Sequence, residues 1–394
     1  MPVTWLHISD LHLKADESHD RNVVLGALVK SVKGYREREK RAPDMIFATG
    51  DIANSGQPKE YEIATLFFDQ LLEAAGLGRS HLYLVPGNHD VDRKLGAGLA
   101  RTLTSGSQAD EYFSPRVPKP HLTQKLGGFL RWHRSYFAGI RMMPDNSTCG
   151  PLELVRVRGH RLVIFPINTA LFCQDDGDHE KLFVGRRCFS TALKELEGLD
   201  ASLRIALMHH PLEFLSGLER QHIRAGLIDE LDVVLTGHLH EAGVAGIHMG
   251  TGRNLHCAAG ATYQTRDWPN TAYYATFEDD HVRVFPIHYV DVPRELWTLD
   301  TSLFPYEPGY EMSFPVPREP NFRSFRLPGW DGMYRAPSRK IGYETKPAAS
   351  SALPPSPARS VKLIRAAGED FAAGERRRSR KTTNNAQTKD KRKS

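Results

Sequence analysis

Apolar and polar positions follow two alternating rhythms through the first 90 residues. Three short apolar runs, Val3-Thr4-Trp5-Leu6-His7-Ile8, Met45-Ile46-Phe47-Ala48 and Leu82-Tyr83-Leu84-Val85, have the length and the branched or aromatic content of buried strands. Between them, residues 22–39 carry Val23, Val24, Leu25, Leu28, Val29 and Val32 at near-helical spacing. Residues 58–75 do the same with Tyr61, Ile63, Leu66, Phe67, Leu71 and Leu72, opening on Pro58. Proline suits a first helical turn, because the N–H it lacks would find no intrahelical partner there. Strands alternating with helices predict parallel pairing and an α/β architecture, with ligands gathered at the carboxyl ends of the strands.

The rhythm breaks at residues 91–150, rich in Gly, Ser, Pro and Arg, with one helical stretch near 122–137. This reads as an insertion that caps a site. Strand patterns return at 152–157 and 162–167, followed by an acidic loop at 174–180. Helical runs near 190–199 and 219–231 then flank two further apolar runs, Ile205-Ala206-Leu207-Met208 and Val233-Val234-Leu235. After His240 the pattern predicts antiparallel strands at 254–258, 272–277 and 282–287. The last two form a hairpin expected to complete a second sheet. From 297 to 336, prolines alternate with aromatics such as Phe304, Tyr306, Tyr310, Phe314, Phe322, Phe325 and Trp330. That mixture predicts an irregular strap packed on a main domain of residues 1–296. Residues 337–394, with the runs RRRSRK and KRKS, predict a disordered basic tail.

Of 394 residues, 40% are apolar, enough for a large core. The net charge of +5 hides a division: residues 337–394 hold 15 Lys/Arg against 5 Asp/Glu, and the remainder holds 37 against 42. The body is mildly acidic, and the tail is expected to make weak nucleic-acid or polyanion contacts through residues 376–393. The four cysteines are scattered with no CxxC pair and read as reduced, inert thiols. The N-terminus has no basic leader with an apolar stretch behind it, and no run of 18 apolar residues occurs. A soluble cytoplasmic protein with no membrane partner is expected.

Each apolar run of the α/β part ends in a polar cluster: Asp10-Leu11-His12, Gly50-Asp51, Gly87-Asn88-His89-Asp90, His209-His210 and Gly237-His238-Leu239-His240. Carboxylate oxygens and imidazole nitrogens hold hard and borderline divalent cations. Two such ions about 3.5–4 Å apart can clamp the attacking and leaving oxygens of a displacement at phosphorus. Asp51 suits a bridge between them, since Gly50 lets the backbone turn sharply. Asp10 and His12 would share one face of an extended strand, as would His238 and His240. One consistent allocation gives the first metal Asp10, His12, Asp51 and His240, and the second Asp51, Asn88, His209 and His238. Of His209 and His210 only one can readily face the metals, because consecutive strand side chains point to opposite faces, and the other then serves packing or support. His7, in mid-strand, reads as a core histidine. Arg93 either clamps a phosphate oxygen or makes a surface ion pair. Ser9 and Thr236, each just before a ligand, are candidate supporting donors.

Together DLH, GDIANSG, GNHD, MHHP and TGHLHE resemble the calcineurin-like metallophosphoesterase superfamily over residues 4–240. GDIANSGQPKEYE and VPGNHDVDR further resemble its branch of class III cyclic-nucleotide phosphodiesterases and glycerophosphodiesterases. The resemblance implies a four-layer αββα sandwich of two mixed β-sheets flanked by helices, with two divalent metal ions (Mn, Fe or Zn) at the rim between the sheets. It implies the ligand set above, with His89 touching the leaving oxygen and Asp90 orienting and polarising it. An imidazole held by a carboxylate suits that task on chemical grounds too. The expected function is a dinuclear-metal phosphodiesterase acting on a small or nucleotide-like substrate by metal-bound hydroxide attack. The alternatives are a phosphomonoesterase or protein phosphatase, a nuclease using the basic tail, and a non-catalytic binding module. The intact ligand set argues against the last.

Overall fold

The computed structural model describes residues 1–316, apart from 17, 40–41, 97–102, 113–119, 145–146, 175–176 and 250–251. The chain starts as β1 (Val3–Ile8), α1 (His19–Gly34), β2 (Met45–Ala48), α2 (Pro58–Ala75) and β3 (Leu82–Leu84), with the three strands parallel. Ser18 caps α1 by accepting the Arg21 N–H, and α1 runs on into a π-turn at Tyr35–Glu39. Helix α2 begins on Pro58 and stops at Gly76, whose φ of 74° an L side chain would resist.

Four helices follow: α3 (Arg93–Gly96), α4 (Gly106–Tyr112), α5 (Pro120–Lys125) and α6 (Gly127–Tyr136). Then come β4 (Glu153–Val157), β5 (His160–Pro166), α7 (Arg186–Glu197), β6 (Leu203–Leu207), α8 (Arg220–Glu230) and β7 (Val233–Thr236). The described chain ends with β8 (Gly243–Met249), β9 (Gly252–Ala258), β10 (Thr271–Glu278), β11 (His281–Val290), β12 (Leu296–Leu299) and β13 (Met312–Pro315).

Two mixed sheets result. One runs β12-β11-β10-β1-β2-β3, with β13 also on β11; the other runs β4-β5-β6-β7-β9-β8. Period-2 alternation sorts their side chains. Trp5, Phe47 and Tyr83 point inward to meet Ile164, Ile205 and Leu235 of the facing sheet. Leu6, Ile46 and Leu82 point outward under α1, α2 and α6. Phe165, Ala206 and Val234 lie under α7 and α8 on the opposite outer side. Helices, sheet, sheet and helices stack as an αββα sandwich.

Three expectations need correction. The β10–β11 hairpin joins the first sheet by pairing β10 with β1, not the second. The cause is that β10 is apolar on both faces: Tyr273, Ala275 and Phe277 enter the inner core, while Ala272 and Tyr274 meet the helices. Strand β9 runs parallel to β7, and its antiparallel neighbour is β8, which the sequence pattern missed. The region expected to be an irregular strap contributes two strands, β12 and β13, both on β11. Trp297 anchors β12 by donating its indole N–H to the Val24 carbonyl at 3.0 Å. Residues 317–336 and the basic tail lie outside the described residues.

The 91–150 insertion reaches both outer layers. On one side Trp132 of α6 stacks on Tyr61 of α2 with ring centres 5.2 Å apart. On the other, Tyr112 of α4 meets Phe172 edge-on at 6.0 Å. Among the insertion's described helices, only α3 begins beside the polar clusters. Among the described residues no helix is long and apolar enough to cross a membrane.

Candidate metal centre

Strands β1, β2, β3, β6 and β7 all end at one rim, and the polar clusters are the turns that leave them. The backbone there is left-handed at Asp10 (φ 54°), His12 (43°), Asp51 (50°), His238 (77°) and His240 (58°). Such φ values are uncommon outside glycine and cluster where function demands them. They also correct the extended-strand geometry expected of Asp10-x-His12 and His238-x-His240: these pairs converge through tight turns. The turns interlock, since Leu11 N and His12 N both donate to the Asp51 carbonyl at 2.9 Å, and Gly237 N donates to the His209 carbonyl at 3.0 Å. Two glycines make room. A Cβ on Gly50 (φ 99°) would lie 2.5 Å from His209 Nδ1, and one on Gly237 would lie 1.9 Å from Ser9 Oγ.

Seven side chains predicted as ligands meet here in two groups. In the first, His240 Nε2 is 3.1 Å from His12 Nε2 and 3.3 Å from Asp10 Oδ1, while His12 Nε2 is 4.0 Å from Asp51 Oδ2. In the second, Asn88 Oδ1 is 3.0 Å from both His209 Nε2 and His238 Nδ1, and His209 Nε2 is 3.4 Å from Asp51 Oδ1. Asp51 therefore faces one group with each oxygen. His209 donates Nδ1–H to the Thr49 carbonyl at 2.6 Å, which turns Nε2 toward the centre.

The electrostatics follow from burial and proximity. Burial pushes the Asp51 carboxyl up, but the facing His209 and His12 imidazoles outweigh this and hold it well below its usual range. Burial opposes a charge on His209 too, yet the Asp51 carboxylate raises it to about 9. His12 and His238 are depressed to about 4, chiefly by burial, and are neutral near pH 7.

The residues present fit a pair of cations. The buried Asp10 Oδ1 and Asp51 Oδ2 receive no hydrogen bond. Unprotonated imidazole nitrogens crowd the same small volume, where one shared proton cannot satisfy them all. Borderline divalent ions take this mixture of carboxylate, imidazole and amide oxygen.

His89 and Arg93 flank the first group. The His89 ring stands edge-on to His12 at 4.6 Å, its Nδ1–H donates to the Asn54 carbonyl at 2.9 Å, and Arg93 Nη2 donates to its Nε2 at 3.3 Å. Asp90, expected to orient His89, is occupied elsewhere. Its oxygens accept the N–H groups of Ile52 (3.2 Å), Ala53 (2.9 Å) and Gly87 (2.9 Å), and the Tyr61 hydroxyl at 3.0 Å. Asp90 thus fixes the loop that carries Asp51, and a backbone carbonyl orients His89. Burial raises Asp90 to about 6 against those backbone donors.

His210 is fully buried between Thr169 Oγ1 (2.8 Å from Nδ1) and Cys173 Sγ (3.5 Å from Nε2), and its ring lies 4.6 Å from that of His238. His7 is equally buried and contacts Thr49 Oγ1 at 2.9 Å. Ser9 donates its hydroxyl to the Thr49 carbonyl at 3.2 Å, while Thr236 is buried at the end of β7. Sequence reasoning missed Tyr61, Asn54, Thr49, Thr169 and Phe214, whose ring sits edge-on to His238 at 4.3 Å. Asn54 and Thr49 act through backbone oxygens, for which residue type is no signal.

The chain belongs to the calcineurin-like phosphoesterase family, whose model matches residues 3–242. Members of this family depend on a dinuclear metal centre. The chain is 26% identical over 253 residues to the uncharacterized metallophosphoesterase-like protein YydB of Bacillus subtilis, covering 61% of this chain and 50% of that protein. It is 36% identical over 89 residues to the glycerophosphodiester phosphodiesterase GpdQ of Enterobacter lignolyticus, covering 21% of this chain and 28% of that protein. It is 26% identical over 159 residues to a 3′,5′-cyclic-nucleotide phosphodiesterase of Nostoc, covering 38% of this chain and 55% of that protein. The chain thus spans about half or less of the curated relatives it matches.

Proposed function

We propose that this protein hydrolyses a small or nucleotide-like phosphodiester with two divalent metal ions. One ion is held by Asp10, His12, Asp51 and His240, the other by Asp51, Asn88, His209 and His238. The observation that carries this reading is the position of Asp51, with Oδ2 4.0 Å from His12 Nε2 and Oδ1 3.4 Å from His209 Nε2. Bound there, the two cations supply positive charge for the phosphoryl oxygens and acidify a water molecule. The chain's own residues do the rest. The Thr49 carbonyl keeps the His209 lone pair inward. The Asn54 carbonyl holds His89 Nδ1–H, so that Nε2 is the atom offered to a leaving oxygen. Arg93 now donates to that Nε2; a phosphate arriving there takes over the guanidinium and frees Nε2 to carry a proton to the leaving group. Asp90, tied to three backbone N–H groups, keeps the Asp51 turn in its left-handed shape. The diester preference draws support from the names of the glycerophosphodiester and cyclic-nucleotide relatives.

Turnover of bis-p-nitrophenyl phosphate with Mn²⁺ tests the reading, comparing wild type with Asp51→Asn and His89→Ala. Both variants are expected to lose most activity. Equal turnover by wild type and Asp51→Asn overturns it, and faster cleavage of p-nitrophenyl phosphate than of the diester reassigns the enzyme to monoesters.

A further inference from the structure

Two of the four cysteines meet well away from the metal centre. Cys149 lies just before β4, and Cys188 is the third residue of the 12-residue helix α7. The Thr148 hydroxyl stands between them, 3.7 Å from Cys149 Sγ and 3.5 Å from Cys188 Sγ, and Ser147 Oγ is 3.0 Å from Cys188 Sγ. The two thiols stand near enough for each to shift the other's titration. Both line a cavity of about 850 Å³, whose wall mixes Leu130, Met142 and Leu152 with Arg134 and Arg187.

The two sulfurs are unequal. Cys188 is half-buried at the amino end of α7, with Ser147 Oγ and Thr148 Oγ1 beside its sulfur and the helix dipole favouring an anion there. The neighbouring Cys149 thiol, with help from Ser147 and Thr148, pulls the Cys188 thiol down to about 5. Cys149 is buried, and that burial pushes its thiol well up. A thiolate facing a cavity beside a thiol that keeps its proton is the division between an attacking and a resolving cysteine. The remaining pair offers no such contact: Cys257 is buried and pushed up to about 12, and Cys173 packs on His210.

We propose that Cys188 and Cys149 form a reactive thiol pair, a modification site for a hydroperoxide entering this cavity, whose oxidation closes a Cys149–Cys188 disulfide. The Cys188 thiolate attacks one peroxide oxygen and the O–O bond breaks. The departing hydroxide takes a solvent proton to become water, and Cys188 is left as a sulfenic acid. Cys149 then attacks the Cys188 sulfur, the S–O bond breaks, and the leaving hydroxyl departs as water with the Cys149 proton. Two thiols lose one electron each, and hydrogen peroxide gains both in becoming two waters.

The test treats the reduced full-length protein with one equivalent of hydrogen peroxide and maps thiols by mass spectrometry without reduction. Two of the four free thiols should disappear into a peptide linking residues 149 and 188, and dithiothreitol should restore them. Cys149→Ser should stop at a Cys188 sulfenic acid that dimedone captures, and Cys188→Ser should form no cross-link. A second measurement on unaltered protein needs no variant to fold: iodoacetamide at pH 6 should label Cys188 about tenfold faster than Cys173 or Cys257. Survival of all four thiols, a dimedone adduct on Cys149 in place of Cys188, or equal labelling rates overturns the proposal.

Discussion

The interior of the sandwich and its rim are built on opposite rules. In the interior Trp5, Phe47 and Tyr83 sit on regular strands with neighbouring ring centres 6.1 and 5.7 Å apart, packed against apolar residues of the facing sheet. At the rim five side chains hang on left-handed backbone, and two buried carboxylate oxygens lack hydrogen bonds. Strained backbone and unpaired buried polar atoms each cost on the order of 1–3 kcal/mol. The rim therefore keeps its shape because the interior holds it there. Stability and chemistry are separated in space, and a substitution should strike one and spare the other.

The sharpest test of that separation is Asp51→Asn. It removes the charge both ligand groups share, so kcat/KM should fall by about 10³-fold or more. The metal-free protein should melt within a few degrees of wild type, because a buried charge becomes a neutral isostere. Collapse of the fold together with the activity breaks the comparison. Phe47→Ala is the converse: it empties a fully buried site and should cost about 3–5 kcal/mol in urea unfolding, with turnover per folded molecule retained.

His133 extends the comparison to pH. Buried in α6 between Phe129 and Phe137 and near the Arg141 charge, it is depressed, chiefly by burial, from 6.5 to about 4. The unfolded chain takes up its proton first. The stability His133 contributes is thus intact above pH 6.5 and lost as pH falls toward 4, by up to about 3 kcal/mol. Urea midpoints at pH 7 and pH 5 should differ more for wild type than for His133→Leu. The smallest effect is expected at the seam, where Tyr61 stacks on Trp132 and donates to Asp90. Tyr61→Phe should cost about 1–2 kcal/mol and weaken Mn²⁺ binding several-fold by calorimetry. Unchanged metal affinity would mean that the interior does not brace the rim through this bond.

What the sequence revealed follows the same division. Strands buried on both faces appear as unbroken apolar runs, and Pro58 marks the start of α2 by its own backbone limits. The rim donors were legible because metal chemistry restricts residue type and their order along the chain is simple. Partnering over long distance was not. Val3 pairs with Phe277, and no local pattern near either residue announces the other. The role of Asp90 was hidden for a different reason, since its partners are the backbone amides of residues 52, 53 and 87. The left-handed turns at Asp10 and His12 are permitted by those residues and demanded by neither.

Thr49 follows β2 in one sheet, while His209 follows β6 in the other, and the Thr49 carbonyl accepts both the His209 ring N–H and the Ser9 hydroxyl. This oxygen acts as a rivet through the two sheets. Slippage of either sheet by one residue, about 3.3 Å, shears the rivet and swings the imidazole away from its place. Loosening between the sheets would therefore disturb the ligand geometry at the rim before it unfolds the molecule.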